Sequence, residues 1–237
     1  MSDKDKIYSE LRKGMITCKQ AMTIKEVCAE TDREPWAILP KDESGLVGRP
    51  EASEVPPSLP HITVRGTVAR KLARADAALK LRNPNRQIVV ACGYRSLELQ
   101  RRGFAEQMEL LRGKFEDEDE LMEAASANIA NPTIAGHPAG AAADVTIFDM
   151  AAREYLDFGT PCGNLDSPDI LYASPFIGEE AKANRRLLRE IMSAQEFLPF
   201  DGEWWHFSYG DKEWAYANKM QAALYGQKTI DEIRYAR

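Results

Sequence analysis

Only three histidines occur in this 237-residue chain, and two of them stand in patterns with chemical meaning. His137 opens the stretch His137-Pro138-Ala139-Gly140-Ala141-Ala142-Ala143-Asp144, and His206 closes the aromatic block Glu203-Trp204-Trp205-His206. Two imidazoles and one carboxylate form a set that binds zinc through three protein ligands and leaves a fourth position for water. Glu203, three residues before His206, is then placed to act as base on that water. Arg95, in Gly93-Tyr94-Arg95-Ser96, offers a fixed guanidinium of the kind that stabilises an oxyanion as charge develops on a cleaved amide.

Each of these residues also has a plainer reading. A histidine with an aspartate seven positions later is common by chance, and Trp204, Trp205 and His206 fit an ordinary buried strand. An arginine after a strand is often half of a surface ion pair. The small residues Gly140 to Ala143 add weight to the metal reading, because they let backbone approach an ion closely and leave room for a substrate. On a regular strand Glu203 and His206 would point to opposite faces, so the pair predicts a bulge, or a strand that starts only after Glu203. His61, between Pro60 and Ile62, reads as a loop or packing residue. Cys92 ends an apolar run, where an inert buried thiol is expected. A cysteine nucleophile at Cys92 or Cys162 would leave the second histidine and Glu203 without a role.

The elements that must position these groups are legible in the hydrophobic pattern. Val68, Leu72, Ala75 and Leu79 recur at helical spacing until Asn83-Pro84 ends the pattern. Gln87 to Cys92 reads as a buried strand. Ser96 caps a helix running through Leu99, Phe104, Met108 and Leu111, and the acidic run Glu116 to Glu120 is a solvated helix start. Ala142 to Phe148 is a second strand, Gly159 to Pro175 a long loop, and Glu179 to Gln195 a helix with Ala183, Leu187, Leu188, Ile191 and Met192 on its apolar stripe. Glu203 to Tyr209 is a third, aromatic strand. Before all of these, residues 1 to about 34 are compatible with helix. A stretch rich in turn residues then runs through Pro40, Gly45, Gly48, Pro50, Pro56, Pro57 and Pro60. The expected organisation is an N-terminal helical and irregular wrapping arm over residues 1–60 and a catalytic domain over 61–237.

A net charge of −6 without a basic cluster gives nucleic acid or an anionic membrane surface little to bind. Met1 to Lys6 is charged and leads into no apolar run, so it does not read as a secretory signal. The four cysteines are widely spaced and lack C-x-x-C pairing. A cytoplasmic protein with reduced thiols is expected, or a periplasmic one should a leader precede this sequence. Nothing in the sequence sets an oligomeric state.

Taken together, Gly93-Tyr94-Arg95, His137-x-x-Gly140-x-Ala142-x-Asp144 and Glu203-Trp204-Trp205-His206 resemble the zinc D-alanyl-D-alanine peptidases, which comprise VanX-type dipeptidases and VanY-type D,D-carboxypeptidases. The likeness runs from about residue 60 to about residue 215 and includes Phe158-Gly159-Thr160 and Asn184-Arg185-Arg186-Leu187-Leu188. It implies an α+β fold, with a central antiparallel sheet carrying the metal site and helices packed around it. It also implies one zinc ion per chain on His137, Asp144 and His206, Glu203 as general base and acid, and Arg95 polarising the scissile carbonyl. The implied partner is a small D-Ala-D-Ala-type peptide. The aromatic block looks more like the dipeptidase branch and Gly-Tyr-Arg-Ser more like the carboxypeptidase branch. A non-catalytic zinc or wall-fragment binding domain is the reading from another class. Three positions depart from the pattern. Ala135 and Gly136 stand where hydroxyl groups would contact a substrate carboxylate, and Gly163 stands where an aspartate would hold the substrate ammonium. Asp166 and Asp169 are the nearby carboxylates that could replace it.

Overall fold

A computed structural model of the chain describes residues 3–27, 32–40, 47–48 and 59–233. Much of the turn-rich stretch, including Gly45, Pro50, Pro56 and Pro57, lies outside the described residues, as does Cys28. The chain opens with α1 (Asp3–Arg12) and α2 (Cys18–Met22), then β1 (Trp36–Ile38), β2 (Val47–Gly48) and β3 (Thr63–Arg65). Next come α3 (Gly66–Arg82), β4 (Arg86–Cys92), α4 (Leu97–Leu111), α5 (Glu118–Ser126), β5 (Ala142–Asp149) and β6 (Glu154–Tyr155). The chain continues with α6 (Glu179–Ser193), β7 (Leu198–Pro199), β8 (His206–Ser208) and α7 (Lys212–Ala217).

The fold is α+β. Its main sheet runs β2-β4-β5-β8-β7, with β6 on the far half of β5, and a separate ribbon pairs β1 with β3. The β4, β5, β8 and β7 pairings are antiparallel, whereas the edge strand β2 lies parallel to β4. The long central strands are apolar on both faces: Ile88, Val89, Val90, Val145 and Ile147 are all fully buried, as strands covered on both sides require.

The apolar stripe of α3 behaves as its spacing dictates, with Val68, Leu72, Ala75 and Leu79 shut off from solvent. Asp76 on the same helix accepts a hydrogen bond from Ile88 N at 2.8 Å, which fixes α3 against β4. The α6 stripe is rotated from the expected one: Ala183 is exposed, and Ala181, Asn184, Arg185, Leu188, Ile191 and Met192 face inward. Two polar residues lie on this inner face because they bind loop carbonyls. Asn184 Nδ2 donates to Asp157 O at 2.7 Å, and Arg185 donates to Phe158 O, Leu171 O and Asp169 O at 2.7–2.8 Å. One buried guanidinium thus organises the loop after β6 that leads to the site, and burial lowers its pKa to about 10.

Both helices that flank the site start on side-chain caps. Ser96 Oγ accepts from Leu99 N at 3.2 Å, and Asp117 Oδ1 accepts from Asp119 N and Glu120 N at 2.8 and 3.0 Å. Acidic side chains in the first turn of α5 also suit the positive end of its dipole.

Candidate metal centre

Three neighbouring strands bring the site together. In the sheet register Cys92 of β4 lies opposite Asp144 of β5, and Asp144 lies opposite His206 of β8. A register shift between Val90 and Cys92 marks an irregularity where β4 reaches this row. The expected aromatic strand from Glu203 is shorter than predicted, for a reason the spacing already required. Glu203 to His206 forms a turn closed by His206 N donating to Glu203 O at 3.2 Å, and β8 begins only at His206. The turn breaks the alternation of a strand and lets both side chains face one space.

His137 arrives from the other side, on a 3₁₀ turn over His137–Ala139. Gly140 ends this turn at φ +65°, and a Cβ there would collide with the ring of Trp36. The left-handed conformation and the close aromatic contact together require glycine. At the opposite end, His137 Nδ1 lies 2.6 Å from Gly93 O. That contact makes Nδ1 the protonated donor and turns Nε2 toward Asp144, in the manner in which metal-binding histidines are commonly oriented.

Asp144 is the hub. Its Oδ1 lies 3.4 Å from His137 Nε2 and 3.0 Å from His206 Nδ1, and its Oδ2 lies 3.7 Å from an Arg95 guanidinium nitrogen. The two imidazole rings are 4.9 Å apart and nearly perpendicular. Ligand-capable atoms of Asp144, Glu203 and His206 lie within 4.8 Å of one another, and so do those of Cys92, His137 and Asp144. Burial opposes ionisation of Asp144, but His137 and His206 outweigh it and hold the carboxyl well below its ordinary pKa. Burial likewise disfavours a charged His137 ring, yet Asp144 and Cys92 push its pKa up to about 10. Glu203 moves the other way: burial raises its pKa against the pull of His206. A carboxylate of raised pKa is the better proton acceptor.

The structure thus brings together all five predicted residues, His137, Asp144, His206, Glu203 and Arg95, on the wall of one cavity of about 60 Å³. His61 is exposed and stands apart. The donor set suits a divalent transition metal in kind, since each imidazole approaches the one ionised carboxylate of Asp144 and one histidine is already fixed from behind. The arrangement also disfavours a cysteine nucleophile. Cys92 Sγ lies 3.9 Å from His137 Nδ1, but that nitrogen is occupied by donation to Gly93 O and cannot take the thiol proton. Burial pushes the Cys162 thiol well above its usual pKa, so its nucleophilic thiolate is scarce.

A family model described as D-ala-D-ala dipeptidase, Peptidase M15, matches residues 54–224. The chain belongs to this family. A D-alanyl-D-alanine dipeptidase of a Synechocystis strain is 32% identical over 90 residues, covering 34% of this chain and 36% of that protein. The Streptomyces coelicolor D-alanyl-D-alanine dipeptidase is 33% identical over 79 residues, covering 31% and 36%. These matches span little more than a third of the length of the curated relatives. Among solved structures, a mutant of the vancomycin-resistance D,D-pentapeptidase VanY in complex with Zn(II) aligns at 17% identity and a TM-score of 0.41. That alignment covers 85% of this chain and 96% of that one.

The departures from the family pattern fall where they matter, since Ala135, Gly136 and Gly163 all line the cavity. Neither proposed replacement for the missing aspartate does so. Asp169 is held by Tyr8, by Ser174 at 2.6 Å and by Lys4 at 3.4 Å, and Asp166 is exposed. The cavity has other walls that the sequence motifs did not indicate, among them Gln100, Ser126, Phe200 and Glu213. Glu213 follows His206 by seven residues in Asp211-Lys212-Glu213-Trp214. No local pattern sets it apart from any charged residue at a helix start.

Proposed function

We propose that this protein is a zinc-dependent dipeptidase that hydrolyses D-Ala-D-Ala or a related cell-wall-derived dipeptide, with one zinc ion held by His137, Asp144 and His206. The observation that carries the reading is the convergence of two imidazoles on one buried, ionised carboxylate, with Glu203 and Arg95 on the same cavity wall. When bound, zinc supplies Lewis-acid activation of water and carbonyl. Glu203 accepts the proton of the attacking water and returns it to the leaving amine as the C–N bond breaks. Arg95 stabilises the negative charge that develops on the carbonyl oxygen. Its Nε is buried without a hydrogen-bond partner, so part of the guanidinium is uncommitted. Residues 61–237 form the catalytic domain in this reading, and residues 1–60 the arm that wraps it. No helix of the described residues is long and apolar enough to cross a membrane, and a cytoplasmic pool of free dipeptide is the proposed setting.

Incubating the zinc-loaded protein with D-Ala-D-Ala, with N-blocked D-Ala-D-Ala and with longer stem peptides tests the substrate. Cleavage confined to the longer peptides would transfer the assignment to a D,D-carboxypeptidase. Glu203→Ala is expected to lower kcat by about 10²–10⁴-fold while bound zinc, measured by elemental analysis, is retained. Undiminished turnover in that variant rejects Glu203 as the base, and a zinc-binding domain without catalysis would cleave none of the peptides.

A further inference from the structure

Through Ser126, Phe200 and Glu213, the space around the metal centre borders a second cavity of about 530 Å³ against α1, α2 and α5. These three residues line both spaces. Two of them present polar groups that the other described residues leave largely unsatisfied. Ser126 Oγ is buried with no hydrogen-bond partner beyond the neighbouring Cys18 thiol, itself a weak one. Glu213 makes no hydrogen bond or ion pair among the described residues. Of the other carboxylates nearby, Asp144 faces two imidazoles and Arg95, and Asp211 accepts from Trp214 N at 2.8 Å through Oδ1 while its Oδ2 is buried without a partner among the described residues. Glu213 instead has like charges around it, because Asp211 and Glu203 add to burial in pushing its pKa up to about 8. A partly buried carboxylate kept from cations and aimed into a cavity is costly unless a ligand supplies the missing charge.

We propose that Glu213, with the Ser126 hydroxyl on the same cavity wall, is the subsite for the free ammonium group of the substrate. The inference rests on the dipeptidase reading and adds to it. An ammonium offers three N–H donors and no acceptor, which suits a carboxylate and a hydroxyl that both lack donors. The anchor comes from α7 and α5 rather than from the loop around Gly163, where the side chain is absent. Glu213 and Ser126 both line the same cavity as His137, Asp144, Glu203 and His206, and acylation of the amine removes the charge that Glu213 recognises.

The test compares kcat/KM for D-Ala-D-Ala and N-acetyl-D-Ala-D-Ala in the zinc-loaded wild type, Glu213→Gln, Glu213→Asp and Ser126→Ala. The wild type is expected to prefer the free amine. Glu213→Gln should reduce that preference by about 10–100-fold, the size of one charge-assisted hydrogen bond, chiefly through a higher KM for the free dipeptide. Glu213→Asp should restore part of it, and Ser126→Ala should reduce it less. A wild-type preference ratio in Glu213→Gln, with the variant folded by thermal melting and loaded with zinc, overturns the subsite alone. Should Glu213→Gln not fold, an unchanged ratio in both Glu213→Asp and Ser126→Ala overturns it equally. A wild type that cleaves neither peptide sinks the hydrolase reading, and this inference with it.

Discussion

Glu213, a carboxylate without a partner among the described residues, also bears on stability. Burial and the neighbouring charges of Asp211 and Glu203 place its pKa at about 8, above the ordinary 4.5. Between those two values the folded state binds a proton that the unfolded chain has released, so folding stability falls as pH rises through that window. Glutamine has the same shape and does not titrate. Glu213→Gln is therefore expected to melt close to wild type at pH 5 and above it at pH 8. A variant that melts below wild type at pH 8 would mean that the charge has a stabilising partner. The site residues that were legible in the sequence are those whose chemistry is concentrated in short motifs: His137 with Asp144, and Glu203 with His206. Ser126 and Glu213 were not legible, because 87 positions separate them and each looks like an ordinary polar residue at a helix end. Only the fold gives them a common wall.

At the scale of elements, the pattern in the sequence was most informative where one residue decides a local outcome. The α3 stripe, the Ser96 cap and the turn at Glu203 each follow from spacing or side-chain type, and each is found. The rotation of α6 was not foreseeable from hydrophobicity, because Asn184 and Arg185 face inward to bind loop carbonyls. That exchange also gives a physical reason for two motifs to belong together. The Phe158-Gly159-Thr160 loop is held from below by Arg185 and from above by Trp204, which stacks on Phe158 at 4.1 Å and donates to Thr160 Oγ1 at 2.9 Å. The turn that presents His137 depends in the same way on one backbone conformation. Gly140→Ala is expected to cost at least about 1–2 kcal/mol for the left-handed residue alone, and more for the contact with Trp36. Urea unfolding measures it. In a cycle with Trp36→Phe, Gly140→Ala should cost less in the Trp36→Phe background than in the wild type, and an equal cost in both backgrounds would show that Trp36 does not press on this turn.

On the scale of the whole molecule, segments far apart in the chain meet at Arg65. Its guanidinium lies 2.8 Å from both carboxylate oxygens of Asp32, donates to Ala139 O at 2.9 Å, Glu34 O at 3.1 Å and Gly226 O at 3.0 Å, and lies 4.5 Å from the Trp36 ring. Both charged side chains are sealed from solvent. This one residue ties the segment just before β1, the turn that carries His137 and the C-terminal segment to the β1–β3 ribbon. A buried ion pair is weak support for net stability, because desolvation offsets attraction, but removing one partner strands the other. Arg65→Met is therefore expected to destabilise by about 3–5 kcal/mol, which in a chain of this size lowers the melting temperature by about 6–20 °C, with Lys228, 3.6 Å from Asp32, softening the loss. Asp32→Leu combined with Arg65→Met should regain much of that stability, since neither the fully buried carboxylate nor the fully buried guanidinium is left without the other. Zinc affinity should not return with it, because Ala139 O still lacks the donor that steadies the His137 turn. Thermal melts and competitive zinc titrations on the single and double variants separate the two effects, and recovery of both together would mean that the clasp stabilises the fold without positioning the metal centre.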